Sequence, residues 1–147
     1  MMVADQERFA LMADDDADDR DMAERALRGT PLEGRVQFVE DGVQLLEFLA
    51  RCAPAESGER MPTPPFILLD LNMPRMNGYE ALQALKSDAF LRRIPIIVLT
   101  TSSADEDVVK SYDLGVNAFV TKPVRFDELR KILARVGEFW FEIASSP

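Results

Sequence analysis

Short apolar runs alternate with amphipathic segments along most of the chain. We predict that five of these runs are β-strands, at residues 9–13, 36–39, 66–70, 95–100 and 118–121. The third and fourth runs are apolar throughout, which is typical of parallel strands that are covered on both faces of a sheet. Residues 52–65 are rich in proline and lack a pattern, so we expect a surface loop there.

Apolar residues recur at helical spacing after each of the five runs. Gly29 and Gly115 are expected to end the first and fourth helices, and Ser103 and Glu106 have the spacing of a capping box at the start of the fourth. Alternating strands and helices predict an α/β fold, with a parallel sheet, right-handed crossovers and helices on both faces. The helical stripes consist of Met22, Ala23, Ala26 and Leu27; Val43, Leu45, Leu46 and Leu49; Leu82 and Leu85; Val108, Val109 and Tyr112; and Phe126, Leu129, Leu133 and Val136.

The composition is that of a globular domain. Of the 147 residues, 47% are hydrophobic and 29% are charged, and this length corresponds to about one domain with a substantial core. A formal net charge of −9 and the lack of a basic stripe argue against nucleic acid as a partner. No apolar run approaches the roughly 18 residues of a membrane span, so no membrane association is expected. The single Cys52 cannot form an internal disulfide, which fits a cytoplasmic location.

The chain contains no histidine. This absence excludes Ser–His and Cys–His nucleophilic catalysis and every metal site that depends on histidine ligands. Any chemistry therefore depends on carboxylates, hydroxyl groups and lysines.

Such side chains follow four of the predicted strands. Asp14 and Asp15 end the first strand, Asp70 the third, Thr100 the fourth and Lys122 the fifth. Parallel sheets bind ligands at the carboxyl ends of their strands, so these side chains are expected at one edge of the sheet. Carboxylates this close raise one another's pKa unless a cation compensates, and Mg²⁺ is bound by carboxylates, waters and phosphate oxygens. The pattern therefore favours a Mg²⁺ site.

A second interpretation stays open at this point. The acidic run at residues 14–19 can be a solvated helix start, where Asp18 and Asp19 suit the helix dipole without any ligand. A single Asp at a strand end is often a turn residue, and Thr100 is an ordinary strand residue. The combination of all four strand ends on one edge is what favours the metal site.

Four motifs resemble those of response-regulator receiver domains, over nearly the whole chain. They are the acidic pair Asp14–Asp15, the phosphoacceptor signature LLDLNMPRMNGYE at residues 68–80, VLTTS at residues 98–102 and AFVTKP at residues 118–123. The resemblance implies a flavodoxin-like, doubly wound five-stranded parallel sheet in the order 2-1-3-4-5 with five helices. It also implies one receiver domain over residues 1–147, with a core at about residues 8–136 and an aromatic tail at residues 137–147.

The resemblance implies roles in phosphoryl chemistry. Asp70 is the expected phosphoacceptor, forming an aspartyl phosphate. The expected metal ligands are Asp15, Asp70 and the backbone carbonyl of Asn72, with Asp14 acting through a water, and the ion is Mg²⁺ or, in its place, Mn²⁺. Lys122 is expected to neutralise phosphoryl oxygens as a point charge.

Two further positions are implied to transmit the signal. Thr100 is expected to donate a hydrogen bond to the phosphoryl group, and it is preferred over Thr101 because its spacing of 22 residues from Lys122 matches the family. Phe119 falls at the position of an aromatic rotamer switch. The Lys122–Pro123 peptide bond is cis in the family, whereas most X–Pro bonds are trans, so the sequence leaves both isomers open.

The expected function is that of a single-domain response regulator in a two-component phosphorelay. Since the chain cannot hold a phosphohistidine, the phosphoryl group must come from a partner histidine kinase, and the chain itself is not expected to be an enzyme. Only 24 residues follow Pro123, so we expect no output domain, and signalling through contacts with a downstream protein.

The segment GEFWFEIASSP at residues 137–147 is similar to the tail of stand-alone regulators paired with phytochromes. This similarity implies a phytochrome-type kinase as the partner. Three consecutive aromatic residues cannot all point inward from one helix, so an interface for homodimerisation or kinase docking is expected at Phe139, Trp140, Phe141 and Ile143. Alternatively, these side chains cap the core of their own domain.

Three other functions fit parts of the pattern. A Mg²⁺-dependent phosphatase could use Asp70 as its nucleophile, but such enzymes generally need a second acid at the position of Asn72, and a cap domain. A flavin-binding electron carrier needs a Ser/Thr/Gly-rich phosphate loop where this chain has aspartates. A phosphorylation-independent receiver scaffold does not need the complete set of acids, Thr100 and Lys122.

Overall fold

The fold is a five-stranded parallel sheet with helices on both faces. The computed structural model describes residues 9–52, 62–101 and 104–143. The strands pair in the order β2-β1-β3-β4-β5, which confirms the predicted flavodoxin-like topology. They are β1 (Ala10–Ala13), β2 (Val36–Val39), β3 (Ile67–Leu69), β4 (Ile96–Thr100) and β5 (Ala118–Thr121).

Five α-helices connect and follow the strands, as the apolar spacing predicts. They are α1 (Ala17–Leu27), α2 (Gly42–Ala50), α3 (Gly78–Ser87), α4 (Asp105–Asp113) and α5 (Phe126–Gly137). A short 3₁₀ helix (Leu91–Arg93) precedes β4, and a π-helical turn (Glu138–Ile143) continues α5. None of the helices within the described ranges is long and apolar enough to cross a membrane.

The central strands are apolar throughout because they carry two cores. Ile67 and Leu69 of β3 belong to a cluster under α2 and α3, whereas Leu68 between them belongs to a cluster under α1 and α5. Alternate residues of a strand point to opposite faces, so a strand between two layers needs apolar residues at every position. All residues of β3 and β4 are buried, as predicted.

Side-chain caps hold the starts of α1, α2 and α3, and the sequence predicted them only in part. Asp16 caps α1 by accepting from the N–H groups of Asp18 and Asp19, and these two acids lie in the first turn as expected. Asn77 and Glu80 form a full capping box at α3, a signal that the sequence interpretation overlooked.

The predicted capping box of α4 has a different outcome. The N-cap of α4 is Ala104, which makes no side-chain cap. Ser103 lies outside the described residues, as does most of the predicted proline-rich loop, at 53–61. Cys52 is a free, buried thiol, and the Lys122–Pro123 peptide bond is trans.

Candidate functional site

Backbone pairing brings the predicted strand-end residues to one edge of the sheet. The N–H of Asp14 donates to the Val39 carbonyl at 3.0 Å, and the N–H of Asp70 donates to the Ala13 carbonyl at 3.0 Å. The N–H of Lys122 donates to the carbonyl of Thr100 at 2.7 Å. The parallel register therefore continues one residue beyond the strands and places these four side chains next to one another.

Three carboxylates form the acidic part of this edge. One oxygen from each of Asp14, Asp15 and Asp70 lies within 4.8 Å of the others. Asp14 and Asp70 are buried, whereas Asp15 is exposed. An all-oxygen donor set that is open on one side suits a hard divalent cation that keeps part of its water shell. The residues present therefore fit a magnesium-type ion.

Lys122 enters this acidic cluster from the end of β5. Its ammonium pairs with the carboxylate of Asp14 and lies 3.3 Å from carboxylate oxygens of both Asp70 and Asp19. The Lys122 side chain is only 11% exposed, so solvent screens these pairs weakly. The sequence predicted Lys122 at the site but assigned Asp19 only to the helix dipole.

The pKa values of Lys122 and Asp14 are both shifted by their surroundings in the site. Burial alone would lower the pKa of the Lys122 ammonium, but the hydrogen bond to Asp14 and the charges of Asp70, Asp14 and Asp19 raise it above its ordinary value. Burial raises the pKa of the Asp14 carboxyl, and the hydrogen bonds from Lys122 and from the Asp16 N–H offset this only in part. The raised pKa of Lys122 thus reflects the negative charge of the carboxylates around it, whereas the raised pKa of Asp14 reflects the burial of that carboxyl.

Asp70 is oriented by its neighbours. Its Oδ1 accepts hydrogen bonds from the Thr100 hydroxyl at 3.0 Å and from the Asn72 N–H at 3.1 Å. Its Oδ2 faces the Lys122 ammonium. Thr100 is fully buried, so its hydroxyl has no competing water. The two oxygens of Asp70 are therefore distinct, with one held by donors and the other facing a cation.

Phe119 belongs to a second hydrogen-bonded region, on the α4 side. Its side chain is half-buried and packs against the cluster under α2 and α3. Its N–H donates to the Tyr112 hydroxyl at 3.2 Å. The Tyr79 hydroxyl donates to Asp107 at 2.5 Å, which joins α3 to α4. The two tyrosine contacts were not predicted, because only the folded chain brings these residues together.

Two arginines support the loops of the site, and neither was predicted from the sequence. Arg20 donates to the Asp14 carbonyl at 2.7 Å and to Glu40 at 3.3 Å. Arg75, in the loop after β3, pairs with the buried Asp41 at 2.7 Å. Glu40 and Asp41 lie 20 and 34 positions from their arginine partners, so these two contacts leave no local pattern in the sequence.

The aromatic tail has one side chain on the core and one half-exposed. The Trp140 ring packs against Phe66 with the centroids 6.3 Å apart, and Phe139 meets Trp140 edge-on at 5.1 Å. Phe139 is 50% exposed. The side chains of Phe141 and Ile143 lie outside the described part of the chain. Core capping therefore accounts for Trp140, while Phe139 is available to a partner.

This sheet edge, with its acids, hydroxyl and lysine, defines a receiver domain. The chain belongs to the response regulator receiver domain family, whose model matches residues 10–134. The response regulator Rcp1 of Synechocystis sp. is 34% identical over 140 residues, covering 95% of this chain and 93% of Rcp1. These matches confirm the predicted class.

Solved structures agree with this assignment. The phosphorylated cyanobacterial phytochrome response regulator RcpA superposes with a TM-score of 0.81 at 34% identity, covering 96% of this chain and 99% of RcpA. The Mn²⁺-bound form of Rcp1 gives a TM-score of 0.79 at 33% identity, covering 95% of this chain and 99% of Rcp1. The bacteriophytochrome response regulator RtBRR gives a TM-score of 0.71 at 39% identity, covering 95% of this chain and 84% of RtBRR.

The chain is thus a receiver-type response regulator homologous to phytochrome response regulators. Receiver domains bind a divalent metal at an acidic pocket, and in this chain Asp14, Asp15 and Asp70 bring three carboxylate oxygens within 4.8 Å of one another. The family also implies a histidine kinase partner.

Proposed function

We propose that Asp70 is the phosphoacceptor of this response regulator. The observation that carries the proposal is the environment of Asp70, whose Oδ2 lies 3.3 Å from the Lys122 ammonium while Thr100 and Asn72 hold Oδ1. A carboxylate oxygen of Asp70 attacks phosphorus, and an O–P bond forms. The P–N bond of the donor phosphohistidine breaks, and its electron pair stays on the imidazole nitrogen. The chain acts as a phosphoacceptor and not as an enzyme with a separate substrate.

The acidic cluster would hold Mg²⁺, or Mn²⁺ in its place. Its ligands would be Asp15, Asp70 and the backbone carbonyl of Asn72, with Asp14 acting through a water. The bound ion supplies positive charge that offsets the charge of the phosphoryl oxygens. Lys122 contributes a second, permanent positive charge to the same oxygens.

Intact-mass spectrometry after incubation with acetyl phosphate and Mg²⁺ tests the acceptor. The wild type should gain the mass of one phosphoryl group, and Asp70→Asn should gain none. Asp88→Asn is a matched control, because the Asp88 carboxylate accepts from the N–H groups of Phe90 and Leu91, away from the site. Equal labelling of the wild type and Asp70→Asn would refute the assignment of Asp70.

Thr100 and Phe119 would transmit the phosphorylation state. The Thr100 hydroxyl now donates to Asp70, and it would donate to a phosphoryl oxygen once Asp70 is modified. The resulting shift of Thr100 leaves space into which the half-buried Phe119 ring turns. Thr100→Ala should still be labelled but should lose the phosphorylation-dependent change in Phe119, which ¹⁹F NMR of fluorophenylalanine-labelled protein detects.

The proposed donor is a phytochrome-type histidine kinase. The support is the similarity to RcpA and RtBRR, whose names state a phytochrome link, together with the absence of histidine from this chain. Since such kinases take their phosphoryl group from ATP, the proposed location is the cytoplasm. A bacterial phytochrome kinase should transfer label to this protein at least about tenfold faster than an unrelated kinase, a difference of about 1.4 kcal/mol.

We also propose that the chain consists of one receiver domain, with its core at about residues 8–136, and a tail at residues 137–147. The tail would form a homodimer through Phe139, Trp140, Phe141 and Ile143. The half-exposed Phe139 supports this role. Phe139→Ala should weaken the dimer in sedimentation experiments without loss of fold. A wild type that stays monomeric would leave kinase docking as the use of the tail.

A further inference from the structure

The loop from β3 to α3, residues 70–77, lies against the start of α2. The N–H of Gly42 donates to the Met76 carbonyl at 3.1 Å. A Cβ at Gly42 would lie 2.5 Å from that same carbonyl oxygen, so only glycine permits this approach. The loop carries Asp70 and Asn72, and its path therefore determines where these two residues lie.

Asp41 makes the second connection between α2 and this loop. Its Oδ1 accepts from the Gln44 N–H at 2.8 Å and so caps α2. Its Oδ2 accepts from both the Nε of Arg75 at 2.8 Å and an Nη of Arg75 at 2.7 Å. Asp41 is only 5% exposed. A buried carboxylate whose two oxygens each have donors has one defined orientation, and it holds the guanidinium in a defined place.

Arg75 has a backbone conformation that needs such support. Its φ is +61°, and it is the single non-glycine residue with positive φ in the described part of the chain. The left-handed conformation is unfavourable for an L-residue other than glycine, asparagine or aspartate. Residues with this strain persist where the surrounding contacts impose it, and they occur often at functional sites. Asp41 provides the contact here.

We propose that the Asp41–Arg75 ion pair positions the β3–α3 loop for metal binding. The pair touches no reacting atom. It acts through the backbone between Arg75 and Asn72, and it keeps the Asn72 carbonyl and Asp70 in the arrangement that the metal site requires. The inference rests on the proposed metal site and adds two positioning residues, from α2 and from the loop, that lie outside the acidic cluster.

Two variants remove the pair from opposite sides. Asp41→Asn keeps an amide oxygen for the Gln44 N–H, and asparagine is as good a helix cap as aspartate, but it presents an NH₂ group to the guanidinium. Arg75→Asn removes the guanidinium and tolerates positive φ. Arg75→Lys restores a positive charge and serves as the conservative variant. Asp88→Asn is the matched control, since the Asp88 carboxylate also accepts from two backbone N–H groups, those of Phe90 and Leu91.

Magnesium titration by calorimetry measures the expected effect. The half-saturating Mg²⁺ concentration should rise about tenfold in Asp41→Asn and in Arg75→Asn, the lower end of what outer-shell partners of metal sites contribute. The double variant should resemble either single variant, because both break the same pair. Arg75→Lys should lie closer to the wild type, and Asp88→Asn should equal it. The rate of labelling by acetyl phosphate at saturating Mg²⁺ should be unchanged in Asp88→Asn.

Amide hydrogen exchange of residues 71–77 in metal-free protein provides the second readout. Exchange there should be faster in Asp41→Asn and Arg75→Asn than in the wild type, while α3 and α5 keep their protection. Wild-type Mg²⁺ affinity together with wild-type loop exchange in both variants would overturn the inference. A wild type that binds no Mg²⁺ would instead refute the proposed metal site, and the loop exchange would then still decide whether the pair holds the loop.

Discussion

The loops on the two sides of Asp70 differ in how many contacts hold them in place. We call the contact of the β3–α3 loop with α2, made by Asp41, Gly42 and Arg75, the clamped side. The β5–α5 loop at residues 122–125 faces α1 and forms the open side. Val124 is 97% exposed there, and a cavity of about 210 Å³ separates this loop from α1, lined in part by Met22 and Lys122.

The difference assigns separate tasks to the two sides. A metal site needs ligands held within a few tenths of an ångström, and the clamped side provides backbone hydrogen bonds, a close glycine approach and a buried ion pair. A phosphoryl donor from another protein needs access, which the open side provides beside the charge of Lys122. The firmly held loop and the accessible surface thus lie on opposite sides of the Asp70 carboxylate.

Loss of the charge on the open side should have the largest effect. Lys122→Ala leaves the buried Asp14 without its partner, and breaking a buried pair costs about 3–5 kcal/mol. The free energy of unfolding in chelator should fall by about 3 kcal/mol, since the Lys122 side chain retains some exposure, and Mg²⁺ should restore part of it. The labelling rate should fall at least about 100-fold.

Urea denaturation with and without Mg²⁺, together with timed labelling, measures both effects. Lys86→Ala is the matched control, because the Lys86 ammonium donates to the Arg92 carbonyl at the other end of α3. If Lys122→Ala were labelled at the wild-type rate, Lys122 would have no role in phosphorylation.

Small changes in side-chain size should change the free energy of unfolding more on the clamped side than on the open side. Gly42→Ala places a methyl group against the Met76 carbonyl, and overpacking of this kind costs about 1–3 kcal/mol. Val124→Ala on the open side should change the free energy of unfolding by less than about 0.5 kcal/mol. Helix propensity alone predicts that Gly42→Ala stabilises the protein, so the sign of the measured change tells which effect wins. A Gly42→Ala variant that is more stable than the wild type would contradict the close contact described for the clamped side.

The smallest effect concerns the pH dependence of the clamped side. Burial acts to raise the pKa of Asp41, but the hydrogen bonds from the Gln44 N–H and from Arg75 outweigh it and hold the pKa below the ordinary value of 3.8. A lowered carboxyl pKa stabilises the fold above the unfolded pKa, and this stability is lost as pH falls through the folded pKa.

Urea denaturation of the wild type and of Asp41→Asn at several pH values checks this dependence. The wild type should be more stable by about 1 kcal/mol at pH 7, as expected for one charged hydrogen bond with a partly exposed arginine. The difference should shrink below about pH 4, near the model-peptide value for Asp. A difference that grows on acidification would contradict the assigned role of Asp41.

The sequence predicted the fold and the site because both depend on local patterns. Alternating apolar runs determined the five strands, and the strand ends located Asp14, Asp70, Thr100 and Lys122 on one edge. The strand bounds differ by one residue in three cases, since backbone turning and not hydrophobicity ends a strand. Chain order and residue type were sufficient for these features.

What the sequence could not predict depends on contacts between distant residues. Asp41 and Arg75 are 34 positions apart, and Tyr79 and Asp107 are 28 apart, so neither pair leaves a periodic signal. The tail shows the same limit, because Trp140 packs on Phe66 and the continuation of α5 is a π-helical turn. Angular positions expected of an α-helix do not apply to that turn.

Borohydride trapping tests the central claim most directly. Sodium borohydride reduces an acyl phosphate to an alcohol, so a phosphorylated aspartate becomes homoserine and is identified by peptide mass spectrometry. After incubation with acetyl phosphate and Mg²⁺, homoserine should occur at residue 70 and at no other aspartate of the chain. Homoserine at Asp14 or Asp15, or its absence from residue 70 in labelled protein, would contradict the account.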